Sequence, residues 1–213
     1  MGGFFAKRKR RKAQEAYDRA LALWQQEDAE LHEMADMAAG YQGETGVGSL
    51  QLHQDERVFM VLKGAALIEP RRERGHYVGG YSGFSFRVAK GVRYHVGGTR
   101  GTYQQGAEVP TPIDTGTVTI TNQRVVFEGS KQAREWDFSK LLGHEDHAEA
   151  PWTALPVSNR QKVSGFLYDA QHAAEIRFRL GLALATFNNT RGDFASHIQQ
   201  ELAEHQASRP TAP

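Results

Sequence analysis

The chain has 213 residues, of which 39% are hydrophobic and 24% are charged, and its 26 Lys and Arg against 25 Asp and Glu give a formal net charge of +1. These are ordinary values for a soluble globular protein, and the length is that of one domain or of one domain with an appendage. The absence of cysteine excludes disulfides, thiolate metal sites and cysteine nucleophiles, and no apolar run approaches the roughly 18–20 residues of a membrane span or forms the core of a secretory signal, so we expect a cytoplasmic protein.

The near-neutral total hides a strong segregation of charge. Residues 7–12 read Lys-Arg-Lys-Arg-Arg-Lys, which is six positive charges in a row. Residues 13–38 hold seven acids against one arginine, a net charge of −6, and residues 57–100 hold nine bases against two acids, a net charge of +7. Two basic regions are thus separated by an acidic segment.

The first basic region lies in residues 1–12, which we expect to be a disordered tail. A polybasic stretch beside two aromatic residues is typical of a contact with anionic membrane, because each basic residue contributes about 1 kcal/mol near such a surface. Nucleic-acid phosphates would attract the same charge but are the less favoured partner, and a solvated tail without a ligand is the third interpretation. The candidate contact residues are Phe4, Phe5, Lys7, Arg8, Lys9, Arg10, Arg11 and Lys12.

Residues 13–39 are predicted to form an acidic amphipathic helix. Their apolar residues recur at spacings of three and four, and neither Pro nor Gly interrupts the pattern before Gly40. The apolar face either packs on its own domain or docks on a partner protein or a second copy. Four glycines in residues 40–49 then predict a flexible linker over 40–54. The candidate partner-binding residues of the helix are Tyr17, Leu21, Trp24, Leu31 and Met34.

The hydrophobic period changes from helical to two after the linker, which predicts a β-rich domain over residues 55–206. Two short apolar runs, 58–62 and 65–68, are predicted strands. Residues 97–116 hold five glycines and two prolines, so we expect a loop there.

The last part of the chain is predicted to contain three short strands and a helix. Residues 152–157, 163–168 and 176–180 are the strands, the last because apolar residues alternate with arginines. Residues 193–205 are predicted to form a closing helix, with apolar residues at four-residue spacing. We expect residues 207–213 to be a disordered tail.

Residues 114–129 carry the clearest hairpin and a family pattern. The stretch Asp-Thr-Gly-Thr-Val-Thr-Ile-Thr-Asn-Gln-Arg-Val-Val-Phe-Glu-Gly resembles the bacterial PH-like and GRAM pattern, in which a glycine opens a strand, Thr-Asn-x-Arg makes the turn and an apolar strand ending in Phe-x-Gly follows. Residues 134–142 are similar to the family's following strand and short turn. The resemblance implies an α+β, mostly β fold, a small antiparallel barrel capped by a C-terminal helix and here preceded by an N-terminal amphipathic helix. Members of this superfold bind lipid headgroups, phosphoinositides, peptides or proteins, so the fold narrows the function only weakly.

The second basic region falls on a predicted hairpin. Residues 84–88 and 92–96 alternate apolar and polar side chains around a tight Lys-Gly turn, so that Arg87 and Arg93 flank the turn on the solvent side. Arginine forks and a lysine charge together suit a phosphate, and in headgroup-binding PH-like domains basic residues on an early hairpin do the binding. An ordinary solvated sheet face is the alternative. The candidate headgroup-binding residues are Arg87, Lys90, Arg93 and Arg100.

No pattern in the sequence predicts catalysis, a cofactor or a metal. A Walker-type phosphate loop, a Gly-x-Ser-x-Gly elbow and a His-Glu-x-x-His motif are all missing. His144 and His147 flank two carboxylates, but in a predicted loop this spacing is uninformative, so we predict no metal site. We therefore expect a protein that is not an enzyme and that needs no cofactor.

These features favour a non-catalytic binding module at the inner face of the membrane. The polybasic tail and the cationic hairpin would supply separate weak contacts with anionic lipid or phosphorylated headgroups. The alternative is a protein-interaction adaptor that uses the N-terminal helix for a partner or for weak self-association. We do not expect nucleic acid to be a partner.

Overall fold

A computed structural model describes the backbone of residues 2–46, 48, 50–72, 76–89, 92–104, 108–146 and 151–213, and the side chains of residues 7–46, 48, 50–72, 108–144 and 151–213. The fold is α+β, with one helix before an antiparallel sheet and two helices after it. The helices are α1 (Gly2–Gly40), α2 (Ala173–Phe187) and α3 (Arg191–Ala207), and the strands are β1 (Val58–Arg72), β2 (His76–Ala89), β3 (Val92–Gln104), β4 (Glu108–Thr121), β5 (Arg124–Gly129), β6 (Ala133–Asp137), β7 (Glu145–Asp146), β8 (Trp152–Leu155) and β9 (Ser164–Leu167).

Seven of the described strands form one antiparallel sheet in the order β6-β5-β4-β1-β9-β8-β7, while β2 and β3 pair with each other. Strands β6 and β7 are the edges of this order. The segments that follow β6 and β8 meet through an isolated bridge between Leu141 and Val157. Among the described residues the sheet is therefore not closed, and the barrel stays a prediction.

The β4–β5 hairpin confirms the turn predicted from the Thr-Asn-x-Arg pattern. Ile120 pairs with Val125, and the side chain of Asn122 binds the segment before β1, accepting a hydrogen bond from the Arg57 N–H at 2.7 Å and donating one to the Asp55 carbonyl at 3.2 Å. Strands β6, β8 and β9 and helix α3 also lie where the sequence predicts them. Short-range patterns were sufficient for all of these elements.

Strand β1 is a single long strand and not the two short strands predicted. The two apolar runs are joined at Gly64, where the register with β4 shifts between Lys63 and Ala65. Gly64 has a φ of +78°, a conformation that glycine adopts without steric cost. The glycine thus makes a bulge within the strand and does not end it.

The loop predicted over residues 97–116 is wrong, because β3 continues to Gln104 and β4 begins at Glu108. The first half of β4 pairs with the second half of β1, where Pro110 stands opposite Pro70. The other neighbour of β1, strand β9, reaches only as far as Ile68. Beyond that point β1 and β4 form a two-stranded ribbon whose strands are both edges, and edge strands tolerate proline.

The strand predicted over residues 176–180 is also wrong, since these residues lie in α2. Ile176 and Leu180 are fully buried and four residues apart, so the apolar pattern fits a helix as well as a strand. Helix α2 contacts β1, β4 and α3 and therefore lies between the sheet and another helix. A helix covered on several sides loses the polar face that would have identified it.

Helix α1 begins at Gly2, so residues 2–12 are helical and do not form the disordered tail predicted. Lysine and arginine are good helix formers, although positive charge at an N-terminus opposes the helix dipole. The guanidinium of Arg11 lies 3.4 Å from the carboxylate of Glu15 one turn later. The basic and acidic blocks are therefore parts of one continuous helix of 39 residues.

The core lies between the sheet and α2. Trp136 is fully buried, donates a hydrogen bond from Nε1 to Ser164 Oγ at 3.1 Å and has its ring centroid 6.4 Å from that of Phe166. Ile176 and Leu180 of α2 belong to the same apolar cluster, as do Ala35 and Ala38 in the last turns of α1. This packing fixes the C-terminal end of α1 to the domain.

The segments on either side of the predicted domain contact it. Glu44 and Val58 exchange backbone hydrogen bonds at 2.8 Å, so the glycine-rich segment after α1 is attached to the start of β1. A Cβ at Gly43 would lie 2.9 Å from the ring of Phe59, so the backbone there passes close to the sheet. After α3, the guanidinium of Arg209 lies 5.4 Å from the ring of Trp24 on α1.

Candidate cationic surface and helical groove

The six basic residues 7–12 are exposed on every side of α1. The residues that follow them, up to Ala16, are exposed as well, so no other described element covers this part of the helix. Arg11 has a carboxylate partner in Glu15, whereas the remaining five bases have no ion pair among the described residues. This part of α1 is therefore a cationic rod that can meet a polyanionic surface from any direction. Phe4 and Phe5 belong to the same helix, and their side chains lie outside the described residues.

The β2–β3 hairpin brings two of the predicted headgroup residues together. Arg87 pairs with Arg93 directly across the two strands, and Lys90, which lies between the strands in sequence, is outside the described residues. Arg100 pairs with Gly80 and is seven residues from Arg93 along β3, which corresponds to roughly 23 Å of strand. The hairpin thus groups Arg87 and Arg93 and separates Arg100 from them.

Two further arginines lie at the base of this hairpin, where β1 ends. Arg71 and Arg72 are exposed, and the guanidinium of Arg72 lies 3.7 Å from the carboxylate of Glu108. Lys162 lies 3.6 Å from the same carboxylate. Arg72 and Lys162 are therefore partly neutralised by Glu108.

The apolar face predicted on α1 packs largely on the same chain. Trp24 stacks on His205 of α3 with 5.1 Å between ring centroids, and its Nε1 donates a hydrogen bond to the His205 carbonyl at 3.0 Å. Leu31 and Met34 pack against the core cluster. Tyr17 and Leu21, which are half-buried, precede Trp24 on the same face. Most of this face therefore packs within the chain.

A groove of about 540 Å³ lies between α1, α2 and α3. It has an apolar floor and a charged rim in which acids outnumber the single arginine. The floor is formed by Leu31, Met34, Phe178, Phe194 and Ile198, and the rim carries Glu27, Glu30, Glu201, Arg177, His197 and His205. The groove could not be predicted from the sequence, because α1 is distant in the chain from the two helices that complete it.

The polar cluster behind the β4–β5 turn is closed on itself. Arg124 is buried and donates hydrogen bonds from Nε and Nη2 to Glu56 at 2.8 and 3.0 Å and from Nη1 to Glu135 at 2.9 Å. Burial alone would raise the pKa of Glu56, but the hydrogen bonds from Arg124, from the His53 N–H and from Thr121 outweigh it and lower that pKa. These donors are used inside the protein, so the cluster holds the turn.

Asp114, the first residue of the family-like pattern, fastens the turn between β5 and β6. Its carboxylate accepts hydrogen bonds from the N–H groups of Lys131 and Gln132, both at 2.8 Å, and from that of Thr115 at 2.9 Å. The hydrogen bond from the Lys131 N–H lowers the pKa of Asp114 most, burial opposes it, and the bonds from Gln132, Thr115 and Ser130 lower the pKa further. The carboxylate therefore has a structural role.

The described residues contain no group of three or more His, Asp or Glu side chains that could hold a metal ion. His144 is exposed, and His147 lies outside the described residues. In the same part of the chain, no helix combines the length and the apolar character of a membrane span. The chain matches no protein-family model, no curated protein and no solved structure. Its function is therefore inferred from the geometry alone.

Proposed function

We propose that the protein is a non-catalytic module of the cytoplasm that associates peripherally with anionic membrane or with phosphorylated headgroups. The contacts are made by the basic block of α1 and by the β2–β3 hairpin. A PH-like or GRAM-like barrel is the fold part of this proposal, and an antiparallel sheet followed by C-terminal helices is compatible with it.

The pairing of Arg87 with Arg93 is the observation that carries the proposal. Residues directly opposite each other in an antiparallel pair have Cα atoms about 4.5–5.5 Å apart, and like charges at such positions destabilise the pair. A phosphate bound between the two guanidinium groups removes this repulsion and can accept two hydrogen bonds from each. Lys90, which lies between these two arginines in sequence, brings a third positive charge to the segment.

The basic block of α1 supplies the second contact. Each of its exposed bases contributes about 1 kcal/mol near an anionic leaflet. Two weak contacts on one chain reinforce each other, because binding of the first raises the effective concentration of the second at the surface. Exposed charges of this kind are screened by salt, so the association should weaken between low and physiological ionic strength.

The test is co-sedimentation of the full-length chain with neutral and with anionic vesicles at low and at physiological salt. We expect binding to anionic vesicles only. Lys90→Glu/Arg93→Glu should weaken it by at least about tenfold, since two attractive charges become repulsive, and deletion of residues 1–12 should abolish it. The matched control is Lys63→Glu/Lys131→Glu, which makes the same change of net charge at exposed positions elsewhere on the sheet.

Two results would contradict the proposal. The first is equal binding to neutral and anionic vesicles. The second is anionic binding that the hairpin variant and the control variant reduce to the same extent, which would reveal a response to net charge and not to a site.

The alternative function is a protein-interaction adaptor. The observation that favours it is the acid-rimmed apolar groove between the three helices. The face predicted for a partner is mostly covered by α3, so the groove is the surface that an adaptor would use.

A further inference from the structure

One face of α1 carries a row of exposed residues that no described element of the same chain covers. Its members follow one another at spacings of 3, 4, 7, 4 and 3 residues, which keep them on one side of an α-helix. Leu23 within this row is 63% exposed and is its largest apolar side chain. The row, called here the open stripe, consists of Lys9, Lys12, Ala16, Leu23, Glu27 and Glu30.

The open stripe of one helix is complementary in charge to the open stripe of a second, antiparallel copy. Its spacings read the same in both directions about a point between residues 19 and 20, while bases on one side of that point match acids on the other. Two copies of α1 placed antiparallel about this point would therefore face attractive charges at both ends and apolar side chains in the middle. The matched pairs are Lys9 with Glu30, Lys12 with Glu27, and Ala16 with Leu23.

Each carboxylate of the open stripe has a contact within the chain. Glu30 accepts a hydrogen bond from Gln26 one turn earlier, and Glu27 lies 3.9 Å from the imidazole of His205. Neither carboxylate has a lysine or arginine partner among the described residues. The two lysines of the stripe have no ion pair in that part of the chain either. The two lysines are thus unpaired in the described part of the chain, and each glutamate can take a lysine partner in addition to its present contact.

The acidic half of the open stripe is also one wall of the helical groove. Glu27 and Glu30 stand on its rim together with Glu201 of α3. In the antiparallel register the basic block of the second copy enters this rim, and Phe5, placed by the backbone alone, falls opposite Met34 in the apolar floor. The charge and the apolar content of the groove thus match the N-terminal segment of the same protein.

We propose that two copies of the chain form a two-fold symmetric dimer through the open stripe of α1. The interface is isologous, so each lysine–glutamate pair occurs twice. The proposal is independent of membrane binding, since Lys7, Arg8, Arg10 and Arg11 lie off the stripe and stay exposed. The two basic blocks of the dimer lie about 30 Å apart along the helices, at 1.5 Å per residue, and both can then reach one surface.

Charge reversal tests the pairing by sedimentation equilibrium over a concentration series, at low salt and without vesicles. Lys9→Glu/Lys12→Glu and, separately, Glu27→Lys/Glu30→Lys should each weaken self-association at least about tenfold, because four pairs that contribute a factor of about two each become repulsive. An equimolar mixture of the two variants should form a heterodimer as stable as the wild-type dimer, since every pair is then attractive again. The matched control is Lys7→Glu/Arg11→Glu, which reverses two charges on the opposite side of the same helical turns and should leave the dimer intact.

The orientation is tested with single cysteines, because the chain contains none of its own. Ala16→Cys mixed with Leu23→Cys should give a cross-linked heterodimer with a short thiol-reactive linker, whereas Ala16→Cys alone should not cross-link. A wild-type chain that sediments as a monomer at every concentration overturns the proposal. It is equally overturned by a dimer that both charge reversals leave unchanged, by a mixture that stays monomeric, or by cross-linking of position 16 to itself. None of these outcomes depends on whether the protein binds vesicles.

Discussion

Arg124→Leu is expected to lower the free energy of unfolding by about 3–5 kcal/mol, the usual cost of removing one partner from a buried ion pair. Glu56 then loses two hydrogen bonds, of 2.8 and 3.0 Å, while its side chain is fully buried and out of reach of water. It keeps the bonds donated by Thr121 and by the His53 N–H, each 2.7 Å long, which limits the loss. At about 2–4 °C for each kcal/mol in a chain of this size, the melting temperature should fall by roughly 6–20 °C.

Urea unfolding followed by tryptophan fluorescence measures this loss, since Trp136 is buried in the core. The double variant Arg124→Leu/Glu56→Leu removes both charges and should recover much of the stability, because replacing a whole buried pair with apolar residues is close to neutral. The control Arg134→Leu removes the more exposed pair with Glu69 and should cost about 0–1 kcal/mol. A loss below about 1 kcal/mol for Arg124→Leu, or a double variant that is less stable than the single one, would refute the reasoning.

Three further predictions follow from individual contacts. The pKa of Glu56 lies below its ordinary value of 4.5, so its carboxylate stabilises the fold above that pH. This contribution is lost as the pH falls through the folded-state pKa. Glu56→Gln should therefore flatten the acid side of the curve of stability against pH, measured by urea unfolding. Gly165→Ala places a Cβ against the Thr153 carbonyl oxygen and should cost about 1–3 kcal/mol, whereas Gly143→Ala meets open space and should change stability by less than about 0.5 kcal/mol, both measured by thermal unfolding. Trp24→Ala removes the indole that stacks on the His205 imidazole and one hydrogen bond between α1 and α3. Hydrogen exchange should show that these helices open more easily, by about 1–3 kcal/mol.

The sequence predicts those elements whose stabilising partners are close in the chain. The hairpin over residues 116–129 is an example, since its two strands and its turn are contiguous and the alternation is regular. The predicted loop after residue 97 failed because β4 gains its structure from a strand some forty residues earlier, with Pro110 opposite Pro70. Composition near the glycines and prolines carries no information about that partner. The strand prediction over residues 176–180 failed for a different reason. A run of only five residues with alternating apolar side chains fits the period of a helix as well as that of a strand.

The candidate sites also divide into those whose residues are close in the chain, which could be predicted, and those whose residues are distant, which could not. The pairing of Arg87 with Arg93 follows from a short hairpin and was predicted with it. The packing of the apolar face of α1 against α3 could not be predicted, since Trp24 and His205 are 181 residues apart. The apolar pattern along α1 does not reveal the open stripe, because most of its members are charged. Its charges became informative once the structure gave the faces that α3 leaves free.

The β1–β4 ribbon has a consequence for the modularity of the protein. Arg72 stands opposite Glu108, so residues 73–107 enter and leave the domain through two neighbouring backbone positions. A two-residue turn could join these positions in the same register, and none of the buried residues described in the core would be removed. We therefore expect the described core to form without residues 73–107.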